Sequence, residues 1–444
     1  MKPVSYICSL KNARIVIVLL TPQAKCKPIK TRVNYGTSIL SKNARLIDSV
    51  SDQPRDGVSF IVDGERITAV ESGTISAPPS ADVVDLKGQT VLPGLIDTHV
   101  HTTLMDKECL PLFLAAGVTT ARDVGGKLEK VLQLRADLNS GRQLGPRLFV
   151  LGPLLDGRDE SFSGSFGEIL DSVPSVDAVP QKIGDLLKAG VDGVKLYFTM
   201  PPDTAKAIIS FVDKRVPVTG HLGYTHSLDV IRAGIDGLEH VWISPYNEFC
   251  ALNMQFGAGA SMMDPNFWIQ LTKGWQEADL QGEGARTWFG AMVEKQVNMG
   301  TTLDLLWISK FGSEAAQRDP DRRFVPPMAL ARQREMAAHM GERPDWDIHP
   351  GVFDPSRGAK ALEKHQAVTC ILHEGGGLVV GGLIVARCRT RRPGLPCCAK
   401  SNYWLKRSER WPRSRPSPQS LPAICASRRI SGASRRGVTP TSWS

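Results

Sequence analysis

Short stretches of alternating hydrophobic and polar residues fill the chain between residues 37 and 91, and turn-forming residues separate them. Three of these stretches have the length and composition of short strands, at 38–47, 58–62 and 66–70. Asp63-Gly64 lies between the last two stretches and is typical of a tight hairpin. The pattern predicts a small β domain over residues 36–90. Residues 1–35 have no clear periodicity and form a poorly defined N-terminal extension.

A different pattern begins near Val91, where apolar runs of strand length alternate with longer segments of helical character. Parallel βα units produce this pattern because their strands are buried on both faces. We therefore predict an α/β fold in which residues 91–382 form a (β/α)8 TIM barrel that is incomplete after its eighth strand. The eight predicted strands are 91–98, 118–124, 147–151, 193–197, 216–221, 237–241, 302–307 and 377–382.

Two long polar intervals, 245–300 and 310–365, interrupt the second half of this pattern. The chemistry of a (β/α)8 barrel lies at the C-terminal ends of its strands. We expect both intervals to be loop insertions over that face, where their Trp and Pro residues would shape a substrate pocket.

The overall composition is that of an ordinary soluble globular protein, with 42% hydrophobic and 22% charged residues. No apolar run approaches the ~18 residues that a membrane span needs. The run 15–20 follows a basic start, so a weak secretory signal is weighed against the cytoplasmic location that we expect. The nine cysteines form no C-x-x-C pair, and their scatter indicates free thiols in a reducing compartment.

The net charge of +9 is unevenly distributed along the chain. Residues 383–444 contain twelve arginines, two lysines and a single acid, Glu409, whereas the preceding 382 residues sum to −4. The body of the protein is therefore mildly acidic and carries no field that would attract nucleic acid. Residues 383–444 also lack periodicity and are rich in Ser and Pro, which predicts disorder.

Four histidines and one lysine fall in or at the ends of predicted barrel strands. His99 and His101 end the first strand two residues apart, so their side chains point to the same side. Lys195 lies in the fourth strand, His221 ends the fifth, and His240 ends the sixth. A lone histidine is more often a surface or core residue than a ligand, but five such positions at one end of a barrel indicate a metal site. Neutral imidazoles bind divalent zinc, manganese or cobalt and leave coordination positions open.

Lys195 has two interpretations. Metal ions would repel a buried ammonium, but CO2 can convert the amine to a carbamate, an anionic oxygen ligand that can bridge two ions. Alternatively, Lys195 forms a salt bridge to a nearby acid such as Asp192. A metal-bound water with a pKa near ~7 is a nucleophile at neutral pH, and a carboxylate beside it would carry the proton to the leaving group.

Five motifs surround these residues: Pro93-Gly-Leu-Ile-Asp-Thr-His-Val-His101, Gly117-Val-Thr-Thr-Ala-Arg-Asp-Val-Gly125, Gly193-Val-Lys-Leu196, Gly220-His221 and Gly234-Ile-Asp-Gly-Leu-Glu-His240. With these motifs the chain resembles the amidohydrolase superfamily over about residues 35–382, in the imidazolonepropionase-related and dipeptidase-like branch. The resemblance implies one or two divalent ions, zinc or alternatively manganese or cobalt. One ion would be held by His99 and His101, the second by His221 and His240, and Lys195 would bridge them as a carbamate.

The same resemblance implies hydrolysis of a C–N bond in a small amide, dipeptide or cyclic imide. It also implies that Tyr224 contacts the substrate, although a packing role fits the imperfect spacing equally well. The expected partner is a small molecule, with neither nucleic acid nor membrane, and the sequence leaves open whether the chain forms a homo-oligomer.

One residue of the family pattern is absent. The eighth strand should end in Gly-Thr-Asp, whose aspartate binds metal and transfers the proton, but this chain continues from Gly382 into Leu-Ile-Val-Ala. Codons for that stretch, with one base restored, can encode Gly-Thr-Asp-Ser-Gly. The shifted frame also permits a leucine-rich helical sequence over 397–407.

We interpret residues 383–444 as the aberrant product of a frameshift, and the alternative is a natural basic tail that binds RNA or anionic lipid. Read as written, the chain would be a truncated, catalytically impaired homologue. We expect weak metal retention, little hydrolysis and poor solubility in that case.

Overall fold

The computed structural model describes residues 38–51, 53–105, 107–157, 167–250, 265–303 and 355–382 of the 444-residue chain. The chain divides into two compact units, Met1–Tyr403 and Trp404–Ser444, and the second lies wholly outside the described residues. The predictions for residues 1–35 and for the tail 383–444 therefore concern parts of the chain that the structure does not describe.

An N-terminal five-stranded sheet follows the alternating pattern of the sequence. It comprises β1 (Ile39–Leu46), β2 (Arg55–Asp63), β3 (Arg66–Ser72), β4 (Asp82–Asp85) and β5 (Thr90–Val91). The order is β3-β2-β1-β4, with β5 also beside β1; β1, β2 and β3 pair antiparallel, whereas β4 and β5 run parallel to β1. The predicted hairpin is confirmed: Asp63 pairs with Arg66, and Gly64 takes the positive φ of 56° that this tight turn requires.

The remaining described strands run parallel and lie in two sheets. One sheet has the order β6-β7-β8, and the other has the order β10-β9-β11-β12-β13-β14-β15. These strands are β6 (Leu95–Val100), β7 (Val118–Asp123), β8 (Arg147–Val150), β9 (Leu154–Asp156), β10 (Leu170–Ser172), β11 (Val194–Leu196), β12 (Val218–Gly220), β13 (Gly237–Glu239), β14 (Asn298–Gly300) and β15 (Leu378–Val380). The fold is therefore mixed α/β with parallel sheets, as in a TIM barrel.

The two parallel sheets are linked at two places, once by a short chain connection and once by hydrogen bonds. β8 pairs with β7 and β9 pairs with β11, and only three residues separate β8 from β9. At the other side, the amide and the hydroxyl of Thr98 both donate to the carbonyl of Gly381, at 3.1 and 2.8 Å. The end of the last described strand thus lies beside the first strand of the parallel part.

Helices connect most of these strands. They are α1 (Leu110–Ala115), α2 (Leu128–Asn139), α3 (Val179–Lys188), α4 (Pro202–Val212), α5 (Ser227–Ala233), α6 (Tyr246–Phe249), α7 (Pro265–Glu277), α8 (Glu283–Glu294) and α9 (Pro355–Glu374). Short 3-10 turns occupy Thr102–Leu104, Lys107–Cys109, Gly167–Ile169 and Val176–Ala178. No helix in the described ranges is both long and apolar enough to cross a bilayer.

The structure corrects two sequence predictions. The seventh strand is β14 at Asn298–Gly300, not 302–307: Thr302 and Leu303 lie outside any strand, and residues 304–307 are not described. The three residues of β14 include one large hydrophobic side chain, so its sequence gives little sign of a strand. The more hydrophobic run at 302–307 was therefore predicted as the strand instead. The interval 245–300 is not a plain loop insertion, because α6, α7 and α8 occupy much of it. Of the interval 310–365, the structure describes residues 355–365, which begin α9.

A buried histidine lies where α9 packs against α7. The His365 side chain is 1% exposed, its ring centroid lies 4.3 Å from that of Trp275, and neither ring nitrogen has a hydrogen-bond partner among the described residues. Burial lowers the pKa of His365 to about 3. The folded chain therefore holds this ring in its neutral form, without a hydrogen bond to any of the described residues.

Replacing His365 by leucine should stabilise the protein, because burying an unpaired polar group costs about 1–3 kcal/mol. The gain should grow as the pH falls below the ordinary histidine pKa of 6.5, because the unfolded wild-type chain then takes up a proton that folded His365 refuses. Urea unfolding of wild type and His365→Leu at pH 7.5 and 5.5 measures both effects. His373→Gln, on an exposed position of the same helix, should track the wild type, and a gap that narrows at pH 5.5 would contradict the assignment.

Candidate active site

Four histidines and a lysine meet in the interior at the carboxyl ends of the parallel strands. Each of the five side chains is 6% exposed or less: His99, His101, Lys195, His221 and His240. Ring centroids lie 5.4 Å apart for His99 and His101, 4.6 Å for His99 and His240, and 4.3 Å for His221 and His240. All four imidazoles therefore belong to one contiguous cluster.

The positions of these residues follow from the strands that carry them. His99 lies near the end of β6 and His101 directly after it, whereas His221 and His240 directly follow β12 and β13. Parallel strands end at the same edge of a sheet, so side chains at these positions converge. Lys195 is the middle residue of the short strand β11, and all three residues of this strand are buried.

In three of the four rings, Nδ1 forms a hydrogen bond of 2.8 Å, each to a different oxygen atom. His99 Nδ1 meets the carboxylate of Glu239, His101 Nδ1 meets the carbonyl of Gly125, and His240 Nδ1 meets the hydroxyl of Thr302. A hydrogen bond at one ring nitrogen fixes the orientation of the ring and selects the tautomer. Coordination by these rings would accordingly use Nε2.

Burial keeps the four imidazoles neutral. Loss of solvent lowers the pKa of His99 to about 4 and that of His101 to about 3, and it places those of His221 and His240 well below the usual range. Glu239 opposes the effect at His99 but does not overcome it. Near pH 7 the cluster therefore presents unprotonated rings, the form in which histidine binds metal ions.

Glu239 is a residue of the site that the sequence did not single out. Its carboxylate is fully buried and accepts from His99, from Arg122 Nη2 at 2.5 Å and from the hydroxyl of Thr219 at 2.8 Å. Burial alone would raise the pKa of Glu239, but the charges of Arg122 and Lys195 and the bond from His99 hold it well below its ordinary value. The available signal was an acidic residue inside a buried strand directly before a histidine.

Gly300, at the end of β14, is packed so closely against Glu239 that a side chain has no room. A Cβ at this position would overlap Oε2 of Glu239 and lie 3.6 Å from the carbonyl oxygen of Leu238. Glycine at this position is what lets β14 approach the buried carboxylate.

Lys195 has no salt bridge to Asp192, so that interpretation is wrong. The Asp192 carboxylate instead accepts from Arg135 at 2.6 Å and from the amide of Val150 at 2.8 Å. Lys195 Nζ finds no hydrogen-bond partner within the described ranges, and the same is true of His221 Nε2. Burial lowers the pKa of Lys195 to about 7, although the charge of Glu239 opposes this.

Aromatic side chains border the cluster on the side of His221. Tyr197 lies 5.0 Å from His221 and Trp242 5.4 Å from it, measured between ring centroids. Tyr224 is partly buried, its amide donates to the carbonyl of Phe198, and its ring lies 6.1 Å from that of Phe198. The Phe198 ring in turn is 6.0 Å from His221, so Tyr224 sits one aromatic ring away from the histidines.

Asp123 and Asp156, both fully buried at strand ends, shape the loops around the cluster. Asp123 accepts from the amides of Thr102 and Gly125 at 2.7 and 3.0 Å, and burial raises its pKa to about 6. Asp156 accepts from the amide and hydroxyl of Thr199 at 2.7 and 2.5 Å. Across the described residues, no group of three or more histidine, cysteine or acidic side chains is already arranged to hold a metal ion.

Known proteins resemble this chain in part. No protein-family model matches it. A dihydroorotase of Solibacter usitatus is 46% identical over 63 residues, 14% of either chain. Two solved structures share the fold: bottromycin amidohydrolase (TM-score 0.58, 18% identity, 84% of this chain and 74% of the other) and a Xaa-Pro dipeptidase with methionine in its active site (TM-score 0.52, 19% identity, 84% of both).

The matched stretches cover about a quarter or less of the length of the curated relatives. The two solved structures extend the likeness in fold to most of the chain, although their identity in sequence is low. The likeness to these structures is therefore one of fold, and the likeness in sequence to dihydroorotases is confined to a short stretch of the chain.

Proposed function

We propose that this chain is built as a metal-dependent hydrolase that cleaves the C–N bond of a small amide, dipeptide or cyclic imide. The supporting observation is the cluster itself: four neutral imidazoles, each next to another, with Lys195 Nζ and His221 Nε2 buried and lacking a hydrogen-bond partner among the described residues. Burying such groups unpaired is unfavourable unless a ligand satisfies them. The dipeptidase and amidohydrolase neighbours agree with this reaction class.

The residues fit one or two divalent ions, with zinc first and manganese or cobalt as alternatives. His99 and His101 would hold one ion, His221 and His240 the other, and Lys195 would bridge them as a carbamate. Neutral nitrogen donors suit these metals, and a bound ion would lower the pKa of a water and polarise the scissile carbonyl. The buried Lys195 amine finds no acceptor for its protons in the part of the chain that the structure describes, so it would be better satisfied as an anionic ligand than as an ammonium.

The chain's own groups would orient these ligands and border the substrate. Glu239, Gly125 and Thr302 hold the three engaged imidazoles in fixed orientations. Arg122 neutralises Glu239 and also donates to the carbonyl of Thr98, beside His99. Tyr224 and the aromatic rings near His221 are candidates for contact with the side chain of a small substrate.

The group that should accept the proton is expected directly after β15. A Cβ on Gly382 would lie 2.7 Å from Cβ of His99, so the end of this strand reaches the histidine cluster. The residues that follow in sequence, Leu383 and Ile384, have no titratable group. The second candidate is therefore an impaired homologue, which keeps the metal ligands but lacks the carboxylate for proton transfer.

Restoring the carboxylate should restore hydrolysis. The double variant Leu383→Thr with Ile384→Asp supplies the missing Thr-Asp, and we expect its rate on dipeptides to exceed that of the chain as written by roughly 10²–10⁴-fold. Leu383→Thr with Ile384→Asn is the matched control and should stay slow. Both proteins are loaded with zinc, manganese or cobalt, and bound metal is counted by elemental analysis.

Two results would contradict these proposals. Full hydrolysis with two bound metals in the chain as written would remove the need for the aspartate. Hydrolysis that continues after a chelator has removed all metal would show that the reaction does not depend on a metal ion.

Replacing Arg122 by methionine should destabilise the protein by about 3–5 kcal/mol, because it leaves the fully buried carboxylate of Glu239 without its cation. We also expect weaker zinc binding, by roughly 10–100-fold, since His99 depends on that carboxylate. Urea unfolding and competition with a chromogenic chelator measure the two effects.

Arg142→Met is the control. It breaks an ion pair whose side chains are 63% and 31% exposed, so it should cost at most about 1 kcal/mol of stability and leave zinc binding unchanged. Equal losses in both variants would contradict the assignment.

A further inference from the structure

His240 and its hydrogen-bond partner Thr302 have a backbone conformation that their side chains disfavour. His240 has φ 65° and Thr302 has φ 46°. The other non-glycine residues with positive φ among those described are exposed: Asn43, Ser49, Lys87, Asp213, Lys214 and Gln296. A β-branched residue such as threonine is a rare occupant of this region. His240 and Thr302 are 3% and 0% exposed, so no surface turn accounts for them.

The two strained residues contact each other. Thr302 Oγ1 lies 2.8 Å from Nδ1 of His240, and the amide of His240 donates to the carbonyl of Gly300 at 2.7 Å. The segment that leaves β14 therefore holds His240 twice, once by its backbone and once by its ring. In the tautomer that leaves Nε2 unprotonated, Nδ1–H donates to the threonine oxygen.

We propose that Thr302 is a positioning residue, whose strained backbone keeps its hydroxyl on Nδ1 of His240 and so fixes this ring in the Nε2-coordinating tautomer. The inference deepens the proposed function and rests on it. Strained backbone persists only where surrounding structure imposes it, and it gathers at functional sites. Here the surroundings are the strand β14, the strand β13 and the hydrogen bond between their ends.

Gln296 provides a matched control beside the same strand. It precedes β14, whereas Thr302 follows it, and its φ of 53° is as unusual as that of Thr302. It is exposed, and its side chain donates only to the carbonyl of Val293 among the described residues. Gln296→Gly relieves strain at the end of β14 that lies away from the histidines.

The test uses the full chain with Thr302→Ser, Thr302→Ala, Thr302→Gly and Gln296→Gly. Zinc affinity comes from competition with a chromogenic chelator, and we expect roughly 10–100-fold weaker binding in the Ala and Gly variants. Thr302→Ser keeps the hydroxyl and should bind within about threefold of wild type, as should Gln296→Gly. The Gly variant relieves the strain that the Ala variant keeps, so its metal-free form should unfold at the higher temperature of the two.

A second measurement separates failure of this inference from failure of the metal proposal. Ring ¹⁵N shifts of metal-free protein, assigned with His240→Asn, report the tautomer of His240 directly. Protonation at Nδ1 in wild type and Thr302→Ser, with a mixture of tautomers in Thr302→Ala, supports the positioning role even if no variant binds zinc. The same tautomer in all variants, or zinc affinity unchanged by the loss of the hydroxyl, overturns it.

Discussion

The buried carboxylate of Glu239 is the interaction on which the site depends. It lies on β13 and receives His99 from β6, Arg122 from β7 and Thr219 from β12. Two of these donors belong to the three-stranded sheet and one to the seven-stranded sheet, so a single anion joins both. In an interior of low polarity such a group must be fully paired, and that requirement fixes the relative positions of four strands.

Burial, against the pull of this carboxylate on His99, explains why four neutral imidazoles can be packed so closely. Four protonated imidazoles at these separations would repel one another strongly, and burial already disfavours the charge on each. Arg122 carries the compensating positive charge at the edge of the cluster, where its side chain is 19% exposed. The positive charge of Arg122 thus stays near solvent, and the imidazole nitrogens of the interior stay uncharged.

The sequence was sufficient to predict much of this arrangement. Apolar runs marked most of the parallel strands, and histidines at the ends of such runs were predicted to converge, which is where the structure puts them. Three things were beyond its reach for physical reasons. β14 is too short to show a period, and the partners of Glu239 come from strands distant in sequence. The strain at Thr302 is a property of backbone angles that no residue type announces.

The close packing of Gly300 against Glu239 has a consequence for which residues the two positions can hold. The carboxylate of Glu239 occupies the space that a side chain at position 300 would need. The two positions therefore constrain each other: while glutamate stays at 239 in this position, glycine is favoured at 300, and a larger residue at 300 requires the carboxylate to move or to be lost. Among descendants of this fold, the pair should be inherited or lost as a unit.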